Sequence, residues 1–520
     1  MKRSIAKVFP LFGIVLMLSA CVSQTTQDAS KNKDSLDAKY PLQTSQTLTI
    51  WDKSQVNPAY TSYTEQPYYQ ELEKRTGIKA EYRFPTGDLH RESFNLMIAS
   101  GELPDIINYD WLILPGGPEK YVKEGYIVCI NEALEKYAPN LTGYLLENPD
   151  IDRMVKTDGG DYYCFPTLRG DETLNVYQGP IVRSDWLDEL GLSTPETMDD
   201  WYAMLKAFKE KKGASAPLSY VNQYAFEGGF LAGSFGTKLG FYQQSGVIHY
   251  GPYEPQWKDF LVTLRRWYKE GLIDADIATI DSKMLASRIT SGKTGAVLGS
   301  GGNIGQWLPT LLSYEPSSSL IGVPYPVLNR GETPMFSQLD NSYVFGGAAI
   351  TSQCKNIELA ARYLDYGYSE QGRMYHNFGI EGVSYNLVDD YPKYSDAILG
   401  ANDFMSEATK YINTEMSIQD PRMYEQRLKY PQQKEAILAW VKSDAVKYLI
   451  PPIIPTEEES GEMTRMINDI DTAVREYLLK FVFGNESEAT FDDYIKGLER
   501  DGIKRVLELK QASLDRYNYR

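Results

Sequence analysis

The sequence predicts an α/β protein, because short strands alternate with amphipathic helices in two separate stretches of the chain. Its 520 residues are enough for about two to four domains with sizeable cores. Charged residues at 24% and hydrophobic residues at 42% are typical of a globular protein and exclude the disordered and fibrous classes. A net charge of −17 without a long basic run argues against nucleic acid as a partner.

A βαβαβ unit opens the body of the chain. Alternating polar and apolar side chains predict its strands, and one-sided apolar spacing predicts its helices; the strands are at 47–51, 78–84 and 105–109, and the helices at 65–76 and around 94–98. Strands joined by such helices imply a parallel sheet with both faces covered. Ligands bind beyond the carboxyl ends of these strands, where Trp51-Asp52 and Tyr109-Asp110-Trp111 lie.

A second unit begins near residue 180. A strand over 180–183 precedes a helix over 184–190, and Thr197 with Asp200 resembles a capping box at the start of the next helix. Further elements are predicted later in the chain: a strand over 343–350, a long helix over 357–378 and an amphipathic helix over 463–481. The α/β pattern therefore extends over the whole body.

The first twenty residues predict a secretory signal, because three basic residues precede an apolar run over 8–18. Leu18-Ser19-Ala20-Cys21 resembles a bacterial lipobox, in which the cysteine becomes the lipid-modified first residue; a plain secretory signal with an incidental cysteine is the alternative. Residues 22–45 are polar and predict a flexible tether. Since no other stretch reaches the ~18 apolar residues that a spanning helix needs, we expect the lipid to be the only membrane contact.

Motifs for catalysis and cofactor binding are incomplete. Residues 291–294 (SGKT) resemble the end of a phosphate-binding loop, but Ser287 stands where the upstream glycine is required. Residues 299–304 lack the third glycine of a dinucleotide fingerprint. The histidines are far apart and we interpret them as structural: His90, His249 and His376. We predict no cofactor and no enzymatic activity, although the many carboxylates leave a glycosidase pair open.

A series of short segments, in this order along the chain, resembles the extracellular solute-binding lipoproteins of bacterial ABC sugar importers. Within that family the chain is most similar to the large oligosaccharide binders, including the alginate-binding proteins. The segments that carry the resemblance are 99–107, 160–166, 183–191, 194–197, 291–295, 379–385 and 491–509. The order of the segments matters more than any one of them.

The resemblance implies a type II periplasmic-binding-protein-like fold, in which crossing segments join two α/β lobes and the ligand lies in the cleft between them. The implied division is a signal peptide over 1–20, a tether over 21–45, an N-terminal lobe over 46–178 and 340–400, and a C-terminal lobe over 179–339 and 401–520. The implied location is the extracytoplasmic face of the bacterial cell membrane.

The sequence predicts no metal site, and it leaves the pairing of the cysteines open. Relatives often carry a calcium loop, similar to an EF-hand, after the helix that follows the Thr-Pro-Glu-Thr stretch. The corresponding residues 209–217 (KEKKGASAP) offer one carboxylate and three lysines, whereas calcium needs several oxygen ligands. We therefore expect no calcium there. One disulfide or free thiols remain open for Cys129, Cys164 and Cys354, with buried thiols favoured.

Sugar sites combine aromatic rings, which cover the apolar faces of the sugar, with polar side chains that bind its hydroxyl groups. By this criterion Asp110 and Trp111 are the first-lobe candidates, and Trp307 with Asn303 is the second-lobe candidate for stacking. The remaining candidates lie near crossing segments or in glycine-rich loops: Arg169, Asp340, Tyr343, Glu381 and Tyr385. Strand-end aromatic residues such as Tyr177 and Trp51 are more typical of a core.

The leading interpretation is a monomeric, lipid-anchored binding protein that captures an oligosaccharide outside the cell and delivers it to the permease subunits of an ABC transporter. A lipid-anchored glycoside hydrolase or polysaccharide lyase is the alternative, and a peptide receptor on the same scaffold is a third. A binder holds its ligand unchanged, whereas an enzyme converts it. The overall acidity disfavours polyanionic sugars, but a local basic cluster would reverse that preference.

The lipid anchor is tested by Cys21→Ser. Because one cysteine carries the acyl chains, the variant should leave the membrane fraction and appear in the medium or periplasm. The measurement is fractionation and immunoblotting in cells without the cognate permease. A Cys21→Ser protein that stays with the membrane would contradict the lipobox interpretation.

Overall fold

The computed structural model describes residues 39–85, 89–221 and 225–520. The predicted signal peptide and Cys21 lie outside the described residues. In these ranges the strands are β1 Thr47–Asp52, β2 Lys79–Arg83, β3 Ile106–Tyr109, β4 Phe165–Arg169, β5 Gln178–Arg183, β6 Leu218–Ser219, β7 Phe241–Gln244, β8 Val247–Tyr250, β9 Ala296–Ser300, β10 Leu320–Gly322, β11 Tyr343–Ile350, β12 Tyr385–Val388, β13 Tyr391–Tyr394 and β14 Ile418–Gln419.

The helices cover both faces of the two larger sheets. They are α1 Pro67–Thr76, α2 His90–Ser100, α3 Gly117–Lys123, α4 Asn131–Tyr137, α5 Pro139–Glu147, α6 Pro149–Met154, α7 Ser184–Leu190, α8 Met198–Lys211, α9 Gln256–Lys269, α10 Ser282–Thr290, α11 Gly301–Tyr314, α12 Ile357–Asp365, α13 Glu370–Phe378, α14 Asp396–Leu399, α15 Phe404–Ala408, α16 Pro421–Arg427, α17 Pro431–Trp440, α18 Glu457–Phe483, α19 Phe491–Arg500 and α20 Ile503–Asn518. None of the helices in the described ranges combines the length and apolar character that a membrane crossing requires.

Two sheets define two lobes. The first-lobe sheet has the order β14-β4-β11-β3-β1-β2, with β11 antiparallel to its neighbours and the other pairs parallel. The second-lobe sheet has the order β10-β5-β9-β6, with β5 antiparallel to β9 and β10. Each sheet has its own buried apolar cluster, so the predicted α/β fold with two lobes is confirmed.

The predicted boundary at residue 401 lies too early. β14 pairs with β4 in the first-lobe sheet, where Ile418 lies opposite Leu168. Met416 and Ile418 are buried in the first-lobe core. The chain therefore stays with the first lobe through β14, and it passes to the second lobe before α17, which packs on β5 and β10.

Two further sequence expectations need correction. The predicted tether over 21–45 ends earlier, because Leu42 is buried in the first lobe and its N–H donates to the Thr76 carbonyl at 2.8 Å. The predicted helix over 357–378 is two helices, α12 and α13. Gly367 lies at the break. A side chain there would collide with the Met416 carbonyl, so glycine is required where the segment that carries Met416 approaches closely.

A single carboxylate fastens the end of α20 to the first lobe. Asp158, in the first-lobe loop after α6, accepts from Arg516 Nε at 2.7 Å and from Arg520 Nη2 at 2.7 Å. Arg516 also binds Glu459 of α18. Because α18 and α20 contribute side chains to the second-lobe core, this cluster holds the two lobes together at their boundary.

Replacing Asp158 by Asn should lower the free energy of unfolding by about 3 kcal/mol, since it leaves the fully buried guanidinium of Arg520 without its counter-charge. Urea denaturation measures the change. The matched control is Asp493→Asn, which removes an exposed ion pair with Lys496 and should cost less than ~1 kcal/mol. Equal denaturation midpoints for the two variants would contradict the proposed role of Asp158.

Candidate functional site

The chain crosses between the lobes at one edge of each large sheet. The two lobes face each other at these edges. β4 ends at Arg169 and β5 begins at Gln178, so the crossing segment 170–177 leaves the first-lobe sheet at the carboxyl end of β4. β1, β3 and β4 share one direction, which places Asp52 at the same edge. In the second-lobe sheet, β9 ends at Ser300, opposite Gln178. We call the space between these two edges the cleft.

Carboxyl groups dominate the first-lobe edge of the cleft. Asp52 ends β1, Asn108 lies in β3, and Glu415 comes from the segment before β14. The amide of Asn108 donates to Asp52 Oδ1 at 3.0 Å and also to Glu415. Beside them, Lys53 Nζ lies 3.8 Å from Asp110 Oδ2. Three carboxyl groups thus gather around one amide and one ammonium group.

Burial raises the pKa of each of these carboxyl groups. The pKa of Asp52 is raised although Ser54 and Asn108 hydrogen-bond to it, and the pKa of Asp110 is raised although Lys53 opposes the shift. Burial, and next the negative charge of Asp52, raise the pKa of Glu415 to about 7. The first-lobe edge therefore holds protons more tightly than exposed carboxyl groups do.

A cavity of about 280 Å³ adjoins this carboxyl cluster. Glu415 is on its wall, together with Tyr69 of α1. The other lining residues come from the loop after β1, from Gln66 and from the segment that leads to β14: Ser54, Gln55, Val56, Asn57, Pro58, Gln66, Met405, Thr409, Ile412, Asn413 and Thr414. The wall mixes apolar side chains with amide and hydroxyl groups that are in reach of a polar ligand.

A second cavity, of about 370 Å³, lies where the crossing segment 170–177 and the segment before β11 meet the second lobe. Its lining combines Tyr177, which is 42% exposed, with Lys238, Glu227 and Asp340. The remaining lining residues are Gln178, Gly228, Ser337, Gln338 and Leu339. An exposed aromatic ring among donors and acceptors suits a ligand with an apolar face and a polar rim.

Ion pairs hold the charged groups of this second cavity. Arg169 Nη1 donates to Asp340 Oδ2 at 2.9 Å, and Arg475 Nη2 lies 3.2 Å from Glu227 Oε1. Lys238 lies 6.0 Å from the ring centroid of Phe336, and burial lowers the pKa of Lys238 to about 8. Lys238 is therefore a hydrogen-bond donor that gives up its proton more readily than an exposed lysine does.

The predicted stacking residues Trp111 and Trp307 are corrected, because both belong to cores. Trp111 is fully buried and its indole N–H donates to the Gly347 carbonyl at 2.9 Å. Trp307 is 4% exposed and packs against Gly299. It continues the buried face of α11, formed by Ile304, Trp307, Leu308 and Leu311. That spacing of three and four residues is the pattern of a helix face turned to the core.

Four other predicted candidates also have structural contacts. Asn303 closes the capping box of α11, where its side-chain oxygen accepts from the Ser300 N–H at 2.8 Å. Tyr343 is buried, and its hydroxyl is 2.8 Å from that of Tyr163. Glu381 is exposed and Tyr385 is buried in a small separate cluster around the β12–β13 hairpin. None of these four side chains lines either of the two cavities.

The structure keeps Asp110, Arg169 and Asp340 of the predicted set at the cleft and adds residues that the sequence reasoning missed. The added polar groups are Asn108, Glu415, Glu227, Lys238 and Gln338. Asn108 could have been found from the sequence, because it is a polar residue in a strand whose four residues are all buried. Glu415 could not, because its contact with Asn108 joins positions 307 residues apart.

The thiols and the basic loop have contacts of their own. Cys164 and Cys354 are free thiols, and the Cys129 thiol donates to Asn131 Oδ1 at 3.3 Å. In the segment 209–217, the Lys209 amine donates to the Glu270 carbonyl. A cluster of Asp185, Glu189 and Glu315 lies nearby, with Arg183 bound to Asp185 and Glu315. The absence of calcium at 209–217 stays a prediction.

Comparisons with known proteins agree with this architecture. The sequence profile of the family described as "Bacterial extracellular solute-binding protein" matches residues 57–374. The chain is 24% identical over 536 residues, 96% of each protein, to the fructooligosaccharide ABC transporter substrate-binding protein FusA of Streptococcus pneumoniae. It is 23% identical over 542 residues, 96% of this chain and 97% of the relative, to the lipoprotein LipO of Bacillus subtilis.

A solved structure extends the comparison to three dimensions. The crystal structure of the alginate-binding protein AlgQ2 without calcium ion matches with a TM-score of 0.68 and 25% identity, over 90% of this chain and 98% of AlgQ2. The match confirms the predicted two-lobed fold. The family match confirms the predicted resemblance.

Glu415→Gln tests the carboxyl cluster. Since the pKa of Glu415 rises from 4.5 to about 7 on folding, the folded state keeps a proton that the unfolded state releases between these values. The free energy of unfolding of the native protein therefore falls as pH rises through this window, and Gln removes that loss. The variant should gain about 1–3 kcal/mol relative to the native protein between pH ~4.5 and ~8.

Urea denaturation at both pH values measures this difference. The control is Glu381→Gln, which changes an exposed carboxyl group on the segment before β12; the stability difference between the two pH values should be larger for Glu415→Gln than for this control. A Glu415→Gln difference that is the same at both pH values would show that the carboxyl group ionises normally in the folded protein.

Proposed function

Because the chain belongs to the bacterial extracellular solute-binding proteins, we propose that it binds an oligosaccharide outside the cell and delivers it to the permease of an ABC transporter. The observation that carries the proposal is the second cavity, where the exposed ring of Tyr177 stands among Lys238, Glu227 and Asp340 between the two lobes. A sugar ring presents an apolar face to the aromatic ring and hydroxyl groups to the donors and acceptors. The FusA relative is named for the same kind of ligand.

The proposal includes a lipid anchor at Cys21, a single chain as the working unit and no chemical change of the ligand. LipO, a relative that matches over nearly its whole length, is named a lipoprotein. The lobe division near residues 178 and 340 remains part of the proposal, with β14 assigned to the first lobe. Lobes joined by a few crossing segments, here 170–177, the segment before β11 and the segment between β14 and α17, can close on a ligand as hinged bodies.

One observation favours the enzyme alternative. A glycoside hydrolase needs one protonated and one ionised carboxyl group on either side of the scissile bond, and the pKa of Glu415 is raised to about 7. However, Asn108 donates to Glu415 and Asp52 together, which makes this pair a hydrogen-bonded unit on one lobe. Chromatography of the bound oligosaccharide after prolonged incubation decides between the two: intact ligand supports binding, and shortened ligand supports hydrolysis.

The binding proposal predicts opposite outcomes for two aromatic residues. Tyr177→Ala should weaken binding of the best oligosaccharide from a thermal-shift screen about tenfold or more, equal to about 1.4 kcal/mol, with the melting temperature of the free protein unchanged. Trp307→Ala should instead destabilise the free protein by ~3–5 kcal/mol, because it empties a core site. Calorimetric titration and thermal melting measure the two quantities.

These outcomes separate the cavity from the core. If Tyr177→Ala binds as tightly as the native protein, the second cavity is not where the sugar lies. If Trp307→Ala keeps its melting temperature and loses binding, the stacking prediction from the sequence stands and the core assignment is wrong.

A further inference from the structure

The first-lobe edge of the cleft carries more negative than positive groups. Asp52, Asp110 and Glu415 gather there, and Lys53 lowers the pKa of each of the three, joined by His90 at Asp110. Arg169, at the end of β4, is bound to Asp340. The same three carboxyl groups have raised pKa values in spite of these cations. An additional anion at this edge would oppose their ionisation further.

The hydrogen-bonding groups of this edge are short of donors. Asp52 is 0% exposed and Asn108 is 1% exposed, yet Asp52 Oδ2 and Asn108 Oδ1 have no hydrogen-bond partner among the described residues. Asp110 Oδ1 is in the same position. Buried acceptors without partners are unusual in folded proteins, and the amide oxygen of Asn108 only accepts, whatever the protonation of the carboxyl groups beside it. The edge is therefore suited to a ligand that donates hydrogen bonds.

The two arginines near the second cavity, Arg169 at the end of β4 on the first-lobe edge and Arg475 of α18, are already bound to carboxylates of the protein. Arg169 is bound to Asp340 at 2.9 Å, and Arg475 lies 3.2 Å from Glu227. Lys238 is the remaining cation of the second cavity, and burial weakens its charged form. A carboxylate of the ligand would have to compete with Asp340 and Glu227 for these cations.

From these contacts we infer that the cleft selects a neutral, hydroxyl-rich oligosaccharide and rejects oligosaccharides of uronic acids. The inference rests on the proposed function and adds the class of sugar. Sugar hydroxyl groups can donate to Asp110 and Glu415, whereas a uronate carboxylate accepts only and adds negative charge. The fold alone does not decide this, because AlgQ2, which shares it, is an alginate-binding protein.

The test compares two sets of short oligosaccharides on the purified mature protein at neutral pH. The neutral set contains kestose, raffinose, maltotriose and cellotriose; the uronate set contains trigalacturonate and alginate trisaccharides. Thermal shift identifies binders and calorimetric titration gives their affinities. We expect a neutral member to bind one per chain, at least tenfold more tightly than any uronate.

Each outcome has a distinct meaning. A uronate that binds as tightly as the best neutral sugar overturns the inference and leaves the proposed function standing. If no member of either set binds, the proposed function fails and the inference with it. Binding of a neutral sugar alone supports both.

A charge variant tests the cause of the selection. Asp110→Asn with Glu415→Gln removes two ionisable carboxyl groups from the edge, so the affinity ratio of neutral sugar to uronate should fall at least fivefold. The control, Asp492→Asn with Asp493→Asn, removes two carboxyl groups from the exposed face of α19 and should leave the ratio unchanged. If the double variant at the edge does not fold, Asp110→Asn alone should shift the ratio in the same direction. An unchanged ratio in a folded edge variant overturns the inference.

Discussion

The side-chain amide of Gln338 ties the two crossing segments to each other. Its Oε1 accepts from the Tyr177 N–H at 2.8 Å and from the Gln178 N–H at 3.3 Å, and its Nε2 donates to the Asn175 carbonyl and to Asp340 Oδ1. Backbone bonds reinforce the connection, since the Asp340 N–H donates to Asn175 and the Arg169 N–H donates to Ser342. One amide thus orients Tyr177 and Asp340, on which the second cavity depends.

Because these two crossing segments are bonded together, they form one joint instead of two independent linkers, and a third crossing lies between β14 and α17. Asp340 meets Arg169 at that joint, so an ion pair of the cleft also belongs to the connection between the lobes. The carboxyl cluster of Asp52, Asp110 and Glu415 lies on the first-lobe edge that faces the joint. The groups that would contact a ligand and the groups that would bend as the lobes close are therefore neighbours.

Local patterns in the sequence were enough to predict the elements and the class of fold. The alternation over 47–51 and 78–84 gave β1 and β2, and Thr197 with Asp200 gave the start of α8. Strand-end reasoning placed Asp110 directly after the carboxyl end of β3, where the structure has it. Trp307 was misassigned although its spacing with Ile304 and Leu311 already indicated a helix face turned to the core.

The rest of the site depends on contacts between distant parts of the chain. Asn108 and Glu415 meet only because β14 returns to the first-lobe sheet beside β4. A strand of two residues is too short to be recognised from a local sequence pattern. Lys238 and Glu227 reach the second cavity from a segment of turns in the second lobe. Their roles follow from burial and charge in three dimensions, which periodicity along the chain does not encode.

The contact of Leu42 with Thr76 sets the direction in which the first lobe presents its ligand-binding side. Thr76 precedes β2, so Leu42 lies at the edge where β1 and β2 begin, while Asp52 and Asp110 follow the ends of β1 and β3. The described chain thus enters the first lobe at the end of the sheet opposite the cleft. Its entry therefore does not crowd the carboxyl ends of β1 and β3, where Asp52 and Asp110 lie.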